Sequence, residues 1–250
     1  MPKLITGRTL INLDENKPHV VIPSYVYFIA DRAFYESGYI LEMTIPDNVK
    51  EIGNEAFKLC YQMKKIHLPK KIDFLGKGVF QDCWNLEEIK LPEGVKKIGA
   101  DLFKGCRSLK SISLPESIEE IEENAFSDCT NLYNLYINPK QYSVLPEEVQ
   151  NIAALTFILN HAEEKPDQNL KSYLQHKGKD LLFLSIQRNE TKAIQYLLNK
   201  AELNSDILQQ AVLYAGEKKK TEIVAMLLES CSVQNESVES IEDNDWDPFS

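Results

Sequence analysis

Five cysteines and four histidines carry the widest chemical range in this 250-residue chain. Thiolates and imidazoles hold zinc when they fall in close pairs, Cys-x2-Cys or two histidines one helical turn apart, and none here is so spaced. Cys60, Cys83, Cys106 and Cys129 recur instead at intervals of 23 residues. Stacked at that interval, their Cα atoms approach to about 4.8 Å while their Cβ vectors run parallel, which a disulfide cannot use. Buried free thiols serving as small apolar groups are therefore expected. His19, His67, His161 and His176 lie beside no cysteine that they could activate. Glu36-Ser37-Gly38 lacks the leading glycine of a nucleophile elbow, and Gly76-Lys77-Gly78 lacks the third glycine of a dinucleotide fingerprint. Asp243, Asp245 and Asp247 alternate like the start of a calcium loop, but Pro248 stands where that loop needs glycine. The sequence predicts no catalytic residue, no metal ligand set and no cofactor.

The interval that spaces the thiols organises about half the chain. Lines 22–44, 45–67, 68–90, 91–113 and 114–136 each open on Ile/Leu-Pro. A β-branched residue follows (Val26, Val49, Ile72, Val95, Ile118), then an aliphatic one (Ile29, Ile52, Leu75, Ile98, Ile121) and a phenylalanine (Phe34, Phe57, Phe80, Phe103, Phe126). Self-similarity at such a period marks a solenoid whose units bury their interiors only against neighbours. Before each Ile/Leu-Pro the pattern alternates: Ile89 and Leu91 point inward, Glu88 and Lys90 outward, as on a strand ended by Pro92. A second extended piece such as Val95-Lys96-Lys97-Ile98 crosses to the opposite wall, and Gly53, Gly76 and Gly99 follow it at turns expected to need φ > 0. The phenylalanine then leads a tight helical turn that closes the coil.

The pattern Ile/Leu-Pro-x2-Val/Ile-x2-Ile/Leu-Gly-x2-Ala/Val/Leu-Phe-x2-Cys-x2-Leu-x2-Ile-x-Leu-Pro resembles the BspA-like leucine-rich repeats of bacterial proteins over about residues 20–137. The resemblance implies a right-handed curved solenoid used as a protein-recognition surface, and some surface-exposed members act as adhesins.

The expected fold is thus a β-rich leucine-rich repeat solenoid of five repeats followed by an all-α region. Residues 1–21 are read as a capping β-hairpin between Leu10-Ile11-Asn12-Leu13 and Val20-Val21-Ile22, 22–137 as the solenoid and 138–231 as a helical domain. Residues 232–250 read as an acidic, unstructured tail, either solubilising or a short docking motif around Trp246 and Phe249. Helices are expected from Pro146 through Leu159, at 168–175, and as two antiparallel pairs, 179–188 with 190–200 and 206–215 with 219–230. The pairs align at an offset of 30, Ala193-Ile194-Gln195-Tyr196-Leu197-Leu198 on Ile223-Val224-Ala225-Met226-Leu227-Leu228, and resemble an ankyrin-like array without its Thr-Pro-Leu-His signature.

The net charge of −10 sits at one end: residues 221–250 hold eight acids and no Lys or Arg, leaving −2 for the rest. A near-neutral body lacks the basic face that nucleic acid needs. No run of 18 apolar residues is present to span a membrane, and no signal peptide is visible, so a cytoplasmic location is expected. With no chemistry to position, function falls to the outward strand residues Glu42, Thr44, Lys65, His67, Glu88, Lys90, Ser111, Ser113, Asn134 and Tyr136. They predict a non-enzymatic protein–protein interaction face. The alternatives are an exported adhesin of the same family, and an enzyme with its site between solenoid and helices. The partner's identity and the oligomeric state are open.

Overall fold

The computed structural model describes residues 4–6, 8–12, 17–161 and 168–242. Its strands are β1 (Leu4–Thr6), β2 (Thr9–Asn12), β3 (His19–Val21), β4 (Phe28–Ile29), β5 (Glu42–Thr44), β6 (Glu51–Ile52), β7 (Lys65–His67), β8 (Phe74–Leu75), β9 (Glu88–Lys90), β10 (Lys97–Ile98), β11 (Ser111–Ser113), β12 (Glu120–Ile121) and β13 (Asn134–Tyr136). A 3-10 turn (Pro139–Val144) leads to helices α1 (Glu147–Asn160), α2 (Gln168–Arg188), α3 (Thr191–Lys200), α4 (Ser205–Glu217) and α5 (Thr221–Glu242). The chain divides into two compact units, Met1–Thr156 and Phe157–Ser250.

The first unit is the solenoid. Odd-numbered strands from β3 to β13 build one wall and even-numbered strands from β2 to β12 a second, and the pairs that form within each wall are parallel. Register follows the sequence repeat, with Met43 facing Ile66 and Ile112 facing Leu135. These central side chains are buried while their neighbours point outward, as alternation on a strand requires.

A third side closes each coil. Phe34, Phe57, Phe80, Phe103 and Phe126 stack down its interior at centroid spacings of 5.1, 5.8, 5.7 and 5.8 Å, with planes within 18° of parallel. Each repeat thiol donates to a phenylalanine carbonyl of the preceding coil: Cys60 to Phe34, Cys83 to Phe57, Cys106 to Phe80 and Cys129 to Phe103, at 3.1–3.2 Å. Cys60, Cys83 and Cys106 are fully buried, while Cys129, on the last coil, is partly exposed. Alternate N–H groups bond forward to the next coil, as Gly78 to Ala100, Phe80 to Leu102 and Asp82 to Lys104.

Two expectations for this side are corrected. It is a run of tight turns, not a helical turn, because two residues per coil are left-handed. One column is Arg32, Glu55, Gly78, Asp101 and Asn124; the other is Glu36, Leu59, Asp82, Gly105 and Asp128, with φ of 53–76°. Gly53, Gly76 and Gly99 do not have positive φ; they are small because neighbouring coils touch there. A Cβ on Gly76 would stand 2.6 Å from the Asn54 nitrogen. One position on, side chains chain the coils together: Asp31 accepts from the Asn54 N–H and Asn54 from the Lys77 N–H. Lys77 cannot accept, and Glu122, replacing glycine in the last coil, supplies the missing acceptor to the Ala100 N–H at 2.7 Å.

Both walls part at one level. No ladder joins β7 to β9 or β8 to β10 among the described residues, so each wall is two sheets. Asp73 and Gly76 donate to Lys50 and Ile52 of the preceding coil, whereas their counterparts Lys96 and Gly99 make no such bond to coil three. The departure falls at Gly94. Its equivalents Asn48 and Ser117 reach back to the carbonyls of Val26 and Val95. Gly94 has no side chain for this; its backbone, at φ 91°, closes on the Ile72 carbonyl, 2.9 Å from where a Cβ would sit. Across this level the walls keep the bonds from the Glu87 N–H to the Lys64 carbonyl at 3.2 Å and from the Ile72 N–H to the Glu93 carbonyl at 3.3 Å, and the third side joins the coils with its own bonds and phenyl stack.

The N-terminal hairpin is also drawn differently from expectation. β1 and β2 pair antiparallel, but β2 continues the second wall onto β4 and β3 the first wall onto β5. Residues 10–12 and 20–22 therefore lie in different sheets, because each finds an open parallel edge to extend. At the other end, Gln141 of the 3-10 turn donates to the Glu116 and Ile118 carbonyls. Thr156 of α1 accepts the Leu135 N–H at 2.9 Å. The first part of α1 thus belongs with the solenoid, placing the division of the chain inside α1 and not near residue 138.

The second unit is two stacked helix pairs. α2 is one helix through Gly178, where two were expected; a helical glycine costs only about 1 kcal/mol, and here it lies buried against Ala201. The offset of 30 is geometric as well as sequential. Asn189 and Lys219 are left-handed (φ 64° and 56°). Glu190 donates to Ser185 as Lys220 does to Ala215, the bond that satisfies a helix C-terminus. α5 continues to Glu242, ten residues past the point where the composition suggested that order ends. Asp243, Asp245, Trp246, Asp247 and Phe249 lie outside the described residues.

Two measurements check this architecture. Phe80→Ala removes the centre of the phenyl stack and should cost about 3–5 kcal/mol in urea unfolding; a loss below 1 kcal/mol would mean that the column is not packed as described. In hydrogen exchange the Gly99 amide should exchange much faster than those of Gly76 and Glu122, and equal protection would show the walls closed.

Candidate partner-binding face

The outward positions of the first wall are set by strand alternation alone. Lys65, His67, Glu88, Lys90 and Tyr136 are exposed, and Glu42, Thr44, Ser111, Ser113 and Asn134 are half-buried. Seven of these ten (Lys65, His67, Glu88, Lys90, Ser111, Ser113, Tyr136) line a groove of about 310 Å³ floored by Ile66 and Ile89. The groove crosses the level where β7 and β9 part. Glu42, Thr44 and Asn134 lie beyond it. The sequence reading missed a sixth rung: β3 sets His19 and Val21 in line with Glu42 and Thr44. Its signal was present, since His19-Val20-Val21-Ile22-Pro23 has the same alternation into Ile-Pro as Glu88-Ile89-Lys90-Leu91-Pro92.

Several charges elsewhere on the solenoid are matched coil to coil. Lys96 meets Glu119 at 2.9 Å, Lys97 meets Glu120 and Glu122 at 3.1 and 2.6 Å, Lys110 meets Glu87 at 3.1 Å, and Arg32 meets Glu55 at 2.6 Å. Hydrogen bonding to its partner holds each of three carboxyls below its ordinary range: Glu87 by Lys110, Glu55 by Arg32, and Glu122 by Lys97 and then the Ala100 N–H. In the groove, Lys65, Glu88 and Lys90 make no ion pair among the described residues. Lys65 faces Glu42 across β5 and β7, but Glu42 pairs with the two histidines and not with this lysine.

Beside the groove, Glu42 bridges two histidines, His67 Nε2 at 3.0 Å and His19 Nδ1 at 3.3 Å. They meet opposite carboxylate oxygens, so the three groups do not converge on one point. No group of three His, Cys, Asp or Glu among the described residues could hold a metal. Three of the thiols are kept protonated by burial, which pushes Cys60 up to about 12 and Cys83 and Cys106 well above the ordinary thiol range. His161 and His176 instead bond carbonyls one turn back on their helices.

Hydrogen bonding to His67 first, and to His19, lowers the Glu42 pKa. A folded-state value below the unfolded one means that this stabilisation is present above the unfolded glutamate range and is lost as pH falls through the folded value. In an NMR titration the Glu42 carboxyl should turn over below the ordinary glutamate value of about 4.3, and His67→Ala should move it back up. An unshifted midpoint in the wild type would rule out the bridge.

The repeat region is similar to known proteins. Residues 14–158 match the BspA type leucine rich repeat region in six copies, one more than the five full sequence lines. A leucine rich cell surface protein from Faecalibacterium prausnitzii superposes with a TM-score of 0.52 at 34% identity, over 54% of this chain and 37% of that one. The leucine-rich repeat protein of T. pallidum gives 0.51 at 30% identity, over 53% of this chain and 64% of that one. The match thus spans less than two thirds of either protein. No curated protein matches the chain. No helix among the described residues is long and apolar enough to cross a membrane. Repeat spacing, coil geometry and the match over more than half its length make this chain a member of the BspA-type leucine-rich repeat family.

Proposed function

We propose that this chain is a non-enzymatic protein-recognition module whose first-wall face binds a protein partner across the groove between β7 and β9. The observation that carries the reading is the contrast in charge matching. Among the described residues Lys65, Glu88 and Lys90 make no ion pair and line one groove, whereas Lys96 with Glu119, Lys97 with Glu120 and Lys110 with Glu87 pair coil to coil. Opposing charges set along the walls are the economical arrangement for a solvated surface; charges left unmatched are available to a partner's groups. Both signs are present, so the face suits a partner of mixed charge better than a polyanion. The six rungs extend about 24 Å at 4.8 Å per step, enough for an extended segment or one edge of a domain. A preformed scaffold loses little conformational freedom on binding, which favours affinity. The reading is the same for a chain displayed at a cell surface, as the description of the F. prausnitzii protein has it for that protein, because the face and not the compartment carries recognition.

The test is affinity capture with the wild-type chain against the variant Lys65→Ala, His67→Ala, Glu88→Ala, Lys90→Ala. All four side chains are exposed, so the variant should fold with a thermal midpoint lowered by no more than the loss of the Glu42–His67 bridge. The partner should bind at least tenfold more weakly, about 1.4 kcal/mol, and wild-type binding should weaken with added salt. A partner retained equally by both proteins moves the interaction off this face.

A further inference from the structure

The repeat that stacks equivalent side chains also decides which charges can be paired from within. Lys110 stands one coil from Glu87, Lys96 from Glu119 and Lys97 from Glu120, and each of these pairs closes. The first wall divides differently. One outward column is His19, Glu42, Lys65, Glu88, Ser111 and Asn134, in which Lys65 stands between two carboxylates. The other is Val21, Thr44, His67, Lys90, Ser113 and Tyr136, which holds no carboxylate on any rung. Lys90 therefore has no acid above or below it in its column. His67, on one side, is taken up by Glu42 of the other column. On the other side, Ser113 stands in register between Lys90 and Tyr136 within the sheet of β9, β11 and β13. Lys90, Ser113 and Tyr136 all line the groove. Among the described residues neither their two hydroxyls nor the Lys90 ammonium is hydrogen-bonded within the chain. Beneath them Ile89, Ile112 and Leu135 are buried, which fixes the three strands that carry them.

We infer that an acidic side chain of the protein partner seats over Ser113, its carboxylate held by the Lys90 ammonium and the Ser113 and Tyr136 hydroxyls. The inference rests on the reading of the first wall as a partner-binding face and adds the chemistry of the contact. Rungs lie about 4.8 Å apart, so the short Ser113 is flanked by two long side chains whose heads can lean over it. All three groups donate, and an ionised carboxylate accepts from several donors at once. One cation balances one carboxylate. A phosphate dianion is ordinarily met by a cluster of arginines, and neither column holds one. The nearby carboxylates bound the seat. Glu88 projects from the same strand two residues from Lys90, about 6.6 Å away, and Glu93 and Glu116 follow the strand ends past Pro92 and Pro115. None of them pairs with Lys90 among the described residues. They repel a second acid on either side, so the seat takes an isolated acidic residue and rejects an acidic run.

The probe is a displayed library of random linear peptides, selected on the full chain and counter-selected on the groove variant Lys65→Ala, His67→Ala, Glu88→Ala, Lys90→Ala. Selected peptides should carry an isolated Asp or Glu. In calorimetric titration with one of them, changing that acid to its amide should weaken wild-type binding about tenfold and binding to Lys90→Gln no more than about twofold, the coupling expected of direct contact. Ser113→Ala with Tyr136→Phe should weaken the acidic peptide by about threefold or more. Lys65→Gln should leave the ratio of acid to amide as in the wild type. Peptides that need the groove but are indifferent to their acids would overturn the inference and leave the groove as the binding face. A selection yielding none that the groove variant loses would overturn both. An acid effect carried by Lys65 instead of Lys90, or a phosphoserine bound more than about tenfold tighter than the acid it replaces, would also overturn the inference.

Discussion

Contact between equivalent residues of successive coils is the constraint on which the rest of this structure depends. A coil has no interior of its own: Phe80 is buried because Phe57 and Phe103 lie on its two faces. The Cys83 thiol is satisfied because the Phe57 carbonyl is directly below. Such a column survives only if every coil returns to the same place after the same number of residues, since a shift of one would turn Ile89 outward and Glu88 inward. The repeat length is thus enforced by packing and hydrogen bonding together. Even the departures obey it. Glu122, the residue that breaks the glycine column, gives the Ala100 N–H the acceptor that Lys77 cannot.

Where this constraint relaxes, the candidate site lies. At the level where neither β7 with β9 nor β8 with β10 forms a ladder, the coils are joined by the bonds and phenyl stack of the third side and by two wall bonds, Glu87 to Lys64 and Ile72 to Glu93. The opening leaves strand edges inside the solenoid. One groove lies on the first wall. A second, of about 320 Å³, lies on the other wall at the same level, beside the half-exposed Phe74. The backbone and charged groups at this level are the ones that the proposed partner would use.

The helical unit repeats the logic on a longer period. Its two pairs share a turn, a left-handed residue and a C-terminal bond at a constant offset.

Much of this was legible in the order of residues. A period of 23, a strand pattern ended by proline, a phenylalanine and a cysteine at constant phase sufficed to place the walls, the buried columns and the ten outward positions, because alternation and stacking are local rules applied repeatedly. Whether β7 and β9 pair, which charges find partners, and why Gly76 must be glycine were decided by distances between coils, which no single coil encodes. The extra rung at His19 escaped for the same reason: a short strand takes its partner from whichever edge is open, and only the folded chain shows that β5 offers one.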